Sequence, residues 1–184
     1  MKLKKLKLNQ VKTMLCYFLI VLIAVSCSKN DFETQKEFTI DPISTFLRVD
    51  ASDNSANPLI ISLEDNGITS GDLLRIRTIG AYFYGSSEGT RNDAIGVFSS
   101  SVQLLGTSEL NRIVDAIDAG EDAVTDNTYI GQLTTDIAED FEIWKESIKI
   151  KVPSGAKYLF VGNADCLHAD NRETSEGFKV EIAY

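Results

Sequence analysis

The chain has 184 residues, room for one domain of ordinary size. Its 18 lysines and arginines stand against 27 acids for a net charge of −9; the first 26 residues hold five lysines and no acid, so the remainder carries −14. A hydrophobic content of 43% excludes wholesale disorder, and a body this acidic argues against nucleic acid as a partner, because it has no cationic surface to exchange for condensed counterions.

In chain order the leader comes first. Lys2, Lys4, Lys5, Lys7 and Lys12 precede an unbroken apolar run of twelve residues, 14–25. A spanning helix needs about 20 such residues, so the run fits the core of a secretory signal peptide occupying residues 1–26. It ends in Ala24-Val25-Ser26-Cys27, which resembles a bacterial lipobox with Ala where Leu is usual. That resemblance implies cleavage before Cys27, acylation of its thiol, and a lipoprotein anchored in the bacterial outer membrane. Once Cys16 leaves with the leader and Cys27 is acylated, Cys166 is the only thiol left, so the mature chain has no internal disulfide to form. Residues 27–37 are polar, charged and without periodicity, and read as the lipidated cysteine and its tether.

Residues 38–184 read as one β domain. Apolar and polar residues alternate in 74–78, 148–152 and 178–182, which puts Leu74, Ile76 and Thr78 on one face of their strand and Arg75 and Arg77 on the other. The stretch 157–161 is apolar almost throughout, as for a strand covered on both faces. Residues 44–49, 59–63, 94–98 and 129–133 are shorter strand candidates. Turn residues such as Asn66-Gly67, Ser70-Gly71-Asp72 and Pro153-Ser154-Gly155 separate them. Residues 108–119 are expected to form one short helix, with Leu110, Ile113, Val114 and Ile117 at helical spacing and Gly120 as its stop. Many short strands with few helices predict a β-sandwich or jelly roll.

No phosphate-binding glycine loop and no Cys/His metal pair is present, and a Ser-His-acid set has only His168 to draw on. A lone Cys166 without an orienting group reads as a structural thiol rather than a nucleophile. No catalytic set is readable, and the chain is expected not to be an enzyme. Oxygen ligands, which hard cations want, are plentiful in two acidic clusters. One runs from Asp136 through Glu139 and Asp140 to Glu142. The other follows the apolar strand at 158–161 and holds Asn163, Asp165, His168, Asp170 and Asn171. There the strand delivers Asp165 and a turn returns Asp170 and Asn171 beside it. The set suits Ca²⁺, or a solvated loop in which Asp170 and Asn171 cap a turn. It offers no evident apolar pocket to hold a proton for glycosidase chemistry.

Residues 71–85, Gly-Asp, an apolar strand, Gly80 and then Tyr84-Gly85, resemble an early segment of the bacterial calcium-dependent galactophilic lectins (PA-IL-like). The end of the chain resembles them too: an apolar strand into Asp165, the pair Asp170-Asn171, and a closing strand at 177–182. The resemblance implies a galactose-binding-like jelly-roll β-sandwich. It also implies a Ca²⁺ held by Asp165, Asp170, Asn171 and the backbone carbonyl of Tyr84, bridging protein to sugar hydroxyls; beside it the sugar is expected to meet the Tyr84 turn and Tyr82 or His168. The chain departs from the family in a shorter loop between Asp165 and Asp170, in an insertion at 172–176, and in lacking the family's His and Gln sugar contacts within 86–93. Two functions compete. One is a lipid-anchored, Ca²⁺-assisted receptor for an envelope or other glycan. The other is a structural or adhesive sandwich that binds an envelope protein, with or without calcium.

Overall fold

The computed structural model describes residues 32–48, 50–53, 56–85, 89–120 and 137–184, together with the backbone of 129–130 and 134–135. The leader, Cys27 and the first part of the tether lie outside the described residues.

Among the described residues the strands are β1 (Gln35–Thr39), β2 (Leu59–Ser62), β3 (Leu73–Phe83), β4 (Thr90–Arg91), β5 (Ala94–Ser99), β6 (Ala116–Ile117), β7 (Tyr129–Ile130), β8 (Thr134–Thr135), β9 (Asp140–Ile143), β10 (Ile148–Lys151), β11 (Tyr158–Asn163) and β12 (Arg172–Ala183). One antiparallel sheet has the order β1-β12-β3-β10, with β4 also on β3. The second has the order β2-β11-β5-β6, with β9 also on β5; β7 and β8 pair by themselves. The fold is an all-β sandwich. From β9 onward each successive strand changes sheet, as the expected jelly-roll connectivity demands.

The alternating segments fold as their period dictates. Leu74, Ile76 and Thr78 of β3, Ile150 of β10, and Phe178, Val180 and Ile182 of β12 point inward and meet Leu159 and Val161 of β11 and Phe98 of β5. The second sheet is buried on both faces, as the continuous apolarity of β11 predicts. Its outer face, Ile95, Val97 and Phe160, packs under Phe46, Leu47, Ile113 and Ile137 from the loops.

Three expectations are corrected. The tether ends earlier than residue 37, because residues 35–39 form β1 along the C-terminal part of β12, from Gln35 opposite Ala183 to Thr39 opposite Lys179. Only one face of this edge strand is covered, so its sequence stays polar enough to resemble a linker. No helix forms at 108–119. Ile113 docks into the loop-side core, Ala116 and Ile117 pair with Ser99 and Phe98, and Leu110 stays exposed. Asp115, at φ 54°, interrupts any helical path. Docking onto the edge of β5 has overridden local spacing. Residues 44–48 make only isolated bridges, at Ser44 and Leu47, although both are buried. Of the candidate strand 129–133, Tyr129–Ile130 is strand and residues 131–133 lie outside the described residues.

The stretch 172–176, an insertion by sequence, is absorbed in a wide bulge of β12. Residues 174–177 lie opposite the single residue Ala81, between the pairs Glu173–Tyr82 and Phe178–Gly80. At its base Gly80 (φ 76°) meets Gly177 (φ 70°), and a side-chain carbon on Gly80 would come within 2.1 Å of the Gly177 carbonyl oxygen. Gly80→Ala is therefore expected to destabilise the protein by roughly 2 kcal/mol, since it adds left-handed strain to a backbone clash. A thermal melt should fall by about 4–8 °C; an unchanged midpoint would show that the bulge relaxes freely.

Candidate functional site

One end of the sandwich gathers the chemistry. The C-terminal ends of β3 and β11 meet the N-terminal ends of β12 and β5, because Phe83 pairs with Arg172 and Asn163 with Ala94. The Tyr82 hydroxyl ties the two sheets together by donating to the Ala164 carbonyl (3.2 Å).

Asp165 leaves β11 buried. Its Oδ1 accepts the Cys166 N–H at 2.7 Å and lies 3.7 Å from Arg91 Nη1. Burial raises its pKa, and the nearby charge of Asp170 adds to the rise; the Cys166 N–H, His168 and Arg91 oppose it. Asp170 is exposed and reaches the Tyr84–Gly85 turn, where a side-chain carbon on Gly85 would sit 3.6 Å from Asp170 Oδ2. Asn171 is buried. Its Nδ2 donates to the Pro42 carbonyl (2.9 Å), which sets the amide's orientation, and its Oδ1 accepts no hydrogen bond. Asn163, on the neighbouring strand, donates to the Asp41 and Pro42 carbonyls and also keeps a buried Oδ1 without a donor. A buried carbonyl oxygen without a donor costs about 1–3 kcal/mol, so this end of the fold holds acceptors in need of a cation or donor.

Among the described residues no three His, Cys, Asp or Glu side chains converge to hold a metal by themselves. The residues implied as calcium ligands are a different kind of set: Asp165, Asp170, the amide oxygen of Asn171 and the backbone at Tyr84. Asp165 and Asp170 feel each other's charge, Asp170 touches the Tyr84–Gly85 turn, and the Asn171 oxygen is uncommitted. These residues fit a hard cation by donor chemistry.

Two expected sugar contacts are corrected. Tyr82 is fully buried, its ring 5.0 Å from that of Phe178, so it presents no face to a ligand; its hydroxyl pKa is raised, first by burial. His168 is fully buried as well. Its Nδ1 lies 2.9 Å from Asp53 Oδ2 and its Nε2 faces the Asn163 carbonyl at 3.3 Å. Asp53 also accepts the backbone N–H groups of His168 and Ala169, so His168 pins the 165–171 loop to the 50–53 loop rather than reaching solvent. Tyr84 is 40% exposed, as a sugar contact requires. Arg91 sits over its ring at 5.9 Å.

Three residues escaped sequence reasoning, Arg91, Asp93 and Trp144, while Glu142 closes the first acidic cluster. Arg91 grips Asp93 with two hydrogen bonds (3.3 and 3.2 Å) and faces Asp165. Glu142, on β9, lies near both; burial raises its pKa and the Asp93 charge adds to the rise. Trp144 stands close enough to Glu142 to oppose that rise, and it is 40% exposed. The signal was available: Trp144 is the chain's only tryptophan and stands two residues after the end of the first acidic cluster. That cluster does not act as one group. Asp136 lies outside the described residues, Asp140 is buried, and Glu142 alone joins the site.

Cys166 is partly buried, and burial followed by the Asp165 charge raises its pKa, opposite to what a nucleophile needs. No family model, curated protein or solved structure matches this chain.

Proposed function

We propose that this protein is a lipid-anchored bacterial lipoprotein, held in the outer membrane through Cys27, whose β-sandwich binds carbohydrate with the help of calcium. The observation that carries the reading is the nearness of Asp170 to the Tyr84–Gly85 turn and to Asp165, with the Oδ1 of the next residue, Asn171, buried and without a donor. Asp165, Asp170, Asn171 and the Tyr84 carbonyl would hold the cation, and calcium, when bound, offers its remaining oxygen positions to vicinal sugar hydroxyls. Exposed Tyr84 and Trp144 flank a polar strip of Arg91, Asp93 and Glu142. Aromatic faces beside planar polar groups suit a sugar ring, apolar on its faces and polar at its rim. The reading is of a binding protein and not an enzyme.

A second reading, a structural or adhesive module without metal, is favoured by Arg91, whose guanidinium already places a positive charge 3.7 Å from Asp165.

The two are separated by retention of the full chain, in mild detergent, on immobilised galactan, mannan and pectin. In the lectin reading a single site is weak, with a dissociation constant of about 0.1 mM or above, and lipid-anchored copies act together on a surface. Retention is expected in calcium, lost in chelator and in Asp165→Ala, and reduced about tenfold in Trp144→Ala. Retention indifferent to calcium and to Asp165→Ala would move the site elsewhere, and no retention on any glycan would favour the module.

A further inference from the structure

A second polar cavity, of about 240 Å³, lies among the loops at 47–53 and 107–112 and is lined by Arg48, Ser52, Asp53, Thr107, Ser108 and Arg112, with Leu47 and Ala51. Arg112 is the unusual member. It is 5% exposed, and among the described residues no carboxylate lies within ion-pair distance of it. Its partners are neutral: Nη2 donates to Asn57 Oδ1 at 2.7 Å and Nε to the Leu105 carbonyl at 3.2 Å, while Nη1 reaches the Thr45 carbonyl only at 3.5 Å, the outer limit of a hydrogen bond. Burial alone lowers its pKa. Other buried charges here are matched, Glu181 by Arg77 and Asp53 by the His168 and Ala169 donors. A buried cation without an anion is costly, and neutralising it by deprotonation is closed to arginine.

The acids at this cavity do not supply the missing charge. Asp53 lines the wall, but its side chain is 1% exposed and both its oxygens are turned to the His168 loop. Asp50 spends its Oδ1 on the N–H and hydroxyl of Ser52 (2.8 and 2.7 Å), and the positive charge it feels is that of Arg48, not of Arg112. Arg48 contributes a second guanidinium, oriented by the Ala51 and Thr107 carbonyls, and Ser108 and Thr107 add hydroxyls at the rim. Two forked guanidinium groups with hydroxyls beside them match the paired oxygens that a sulfate, phosphate or carboxylate presents. The volume is below the roughly 300–1,000 Å³ of pockets for drug-sized ligands, so one such group and little more is enclosed.

We propose that this cavity binds a small oxyanion at Arg112, either a free ion or the acidic group of a sugar. It is built from different loops than the calcium-type site, and no proposed calcium ligand lines it.

Thermal melts of the full chain in mild detergent test this, with sodium sulfate, sodium phosphate, glucuronate and galactose 6-sulfate, each against sodium chloride of equal ionic strength and the neutral sugars. An anion at ten times its dissociation constant shifts the folded-to-unfolded ratio about elevenfold, or about 1.4 kcal/mol, and the melting temperature by roughly 3–6 °C. Ser108→Asp is the informative variant. Ser108 is exposed, and the new carboxylate would stand at the cavity rim in the anion's place. It should fold, melt no lower than the parent, and lose the anion shift, which separates site binding from the general stabilisation that sulfate gives any protein. Arg112→Lys, which keeps the charge and loses the fork, should weaken the shift at least tenfold in concentration. A shift with inorganic sulfate or phosphate assigns a free ion, and one confined to the acidic sugars assigns a sugar. No shift beyond chloride for any probe, or one that survives both Ser108→Asp and Arg112→Lys, overturns the proposal.

Discussion

Calcium at a hundredfold excess over its dissociation constant is expected to raise the stability of this protein by about 2.7 kcal/mol, or roughly 5–11 °C in melting temperature for a chain of this size. Asp165→Asn and Asp170→Ala should each abolish the gain. The apo protein distinguishes the two positions. Asp165 is buried with its pKa raised, first by desolvation, so its ionised form is disfavoured in the folded state. A carboxyl of this kind contributes stability below its unfolded pKa and loses that contribution as the pH rises through its folded value. At neutral pH without calcium, Asp165→Asn should therefore leave stability unchanged or improve it, while Asp170→Ala, at an exposed position, should be close to neutral. The same raised pKa makes the calcium effect pH-dependent, because the ion must bind the ionised carboxylate. The gain should fade on acidification from just above the ordinary carboxylate range. Magnesium should substitute poorly, since it demands compact octahedral geometry. Equal melting temperatures in chelator and in millimolar calcium would leave Arg91 as the counter-charge of Asp165 and remove the metal from the functional reading.

Asp53→Ala is expected to have the largest effect, a loss of about 3–5 kcal/mol. Its carboxylate accepts His168 Nδ1 at 2.9 Å and the backbone N–H groups of His168 and Ala169 at 3.1 and 3.0 Å, so its removal leaves a buried ring and two amides without an acceptor. Burial by itself would raise the Asp53 pKa. The His168 side-chain and backbone hydrogen bonds, the His168 charge and the Ala169 N–H outweigh it and hold the value below the ordinary 3.8. The sign is thus opposite to that of Asp165. Stability from Asp53 is present above its unfolded pKa and lost as the pH falls through its lower, folded value. The parent should lose stability on acidification below about pH 4, and Asp53→Asn should flatten that limb. Because Asp53 holds the 168–169 turn, the variant should also weaken calcium binding without touching a proposed ligand. A melt within about 1 kcal/mol of the parent, with calcium binding intact, would show that the 165–171 loop is held by its own contacts.

How far the sequence reaches is visible element by element. The strands around Leu74–Ile76, Ile148–Ile150 and Phe178–Ile182 were legible because a one-sided strand writes its burial at period two, and that signal is local. The burial of β11 on both faces was legible for the same reason. The oxygen-rich run from Asp165 to Asn171, and its place at a strand end, could also be read directly. Strand β1 could not, because an edge strand with one wet face carries the composition of a linker. Nor could the loss of helix at 108–119, where Ile113 and the Ala116–Ile117 pairing answer to β5 and Phe46 rather than to their neighbours in sequence. At the site, residue type announced oxygen ligands, aromatics and a histidine, but not which of them were already committed. Tyr82 and His168 are taken by Ala164, Asn163 and Asp53, while Arg91, Glu142 and Trp144 enter from strands and turns 21 to 74 positions away from Asp165. Periodicity and donor chemistry are properties of neighbouring residues and survive in the linear chain; burial, pairing and the absence of a partner are sums over residues distant in sequence, and only the closed sandwich evaluates them.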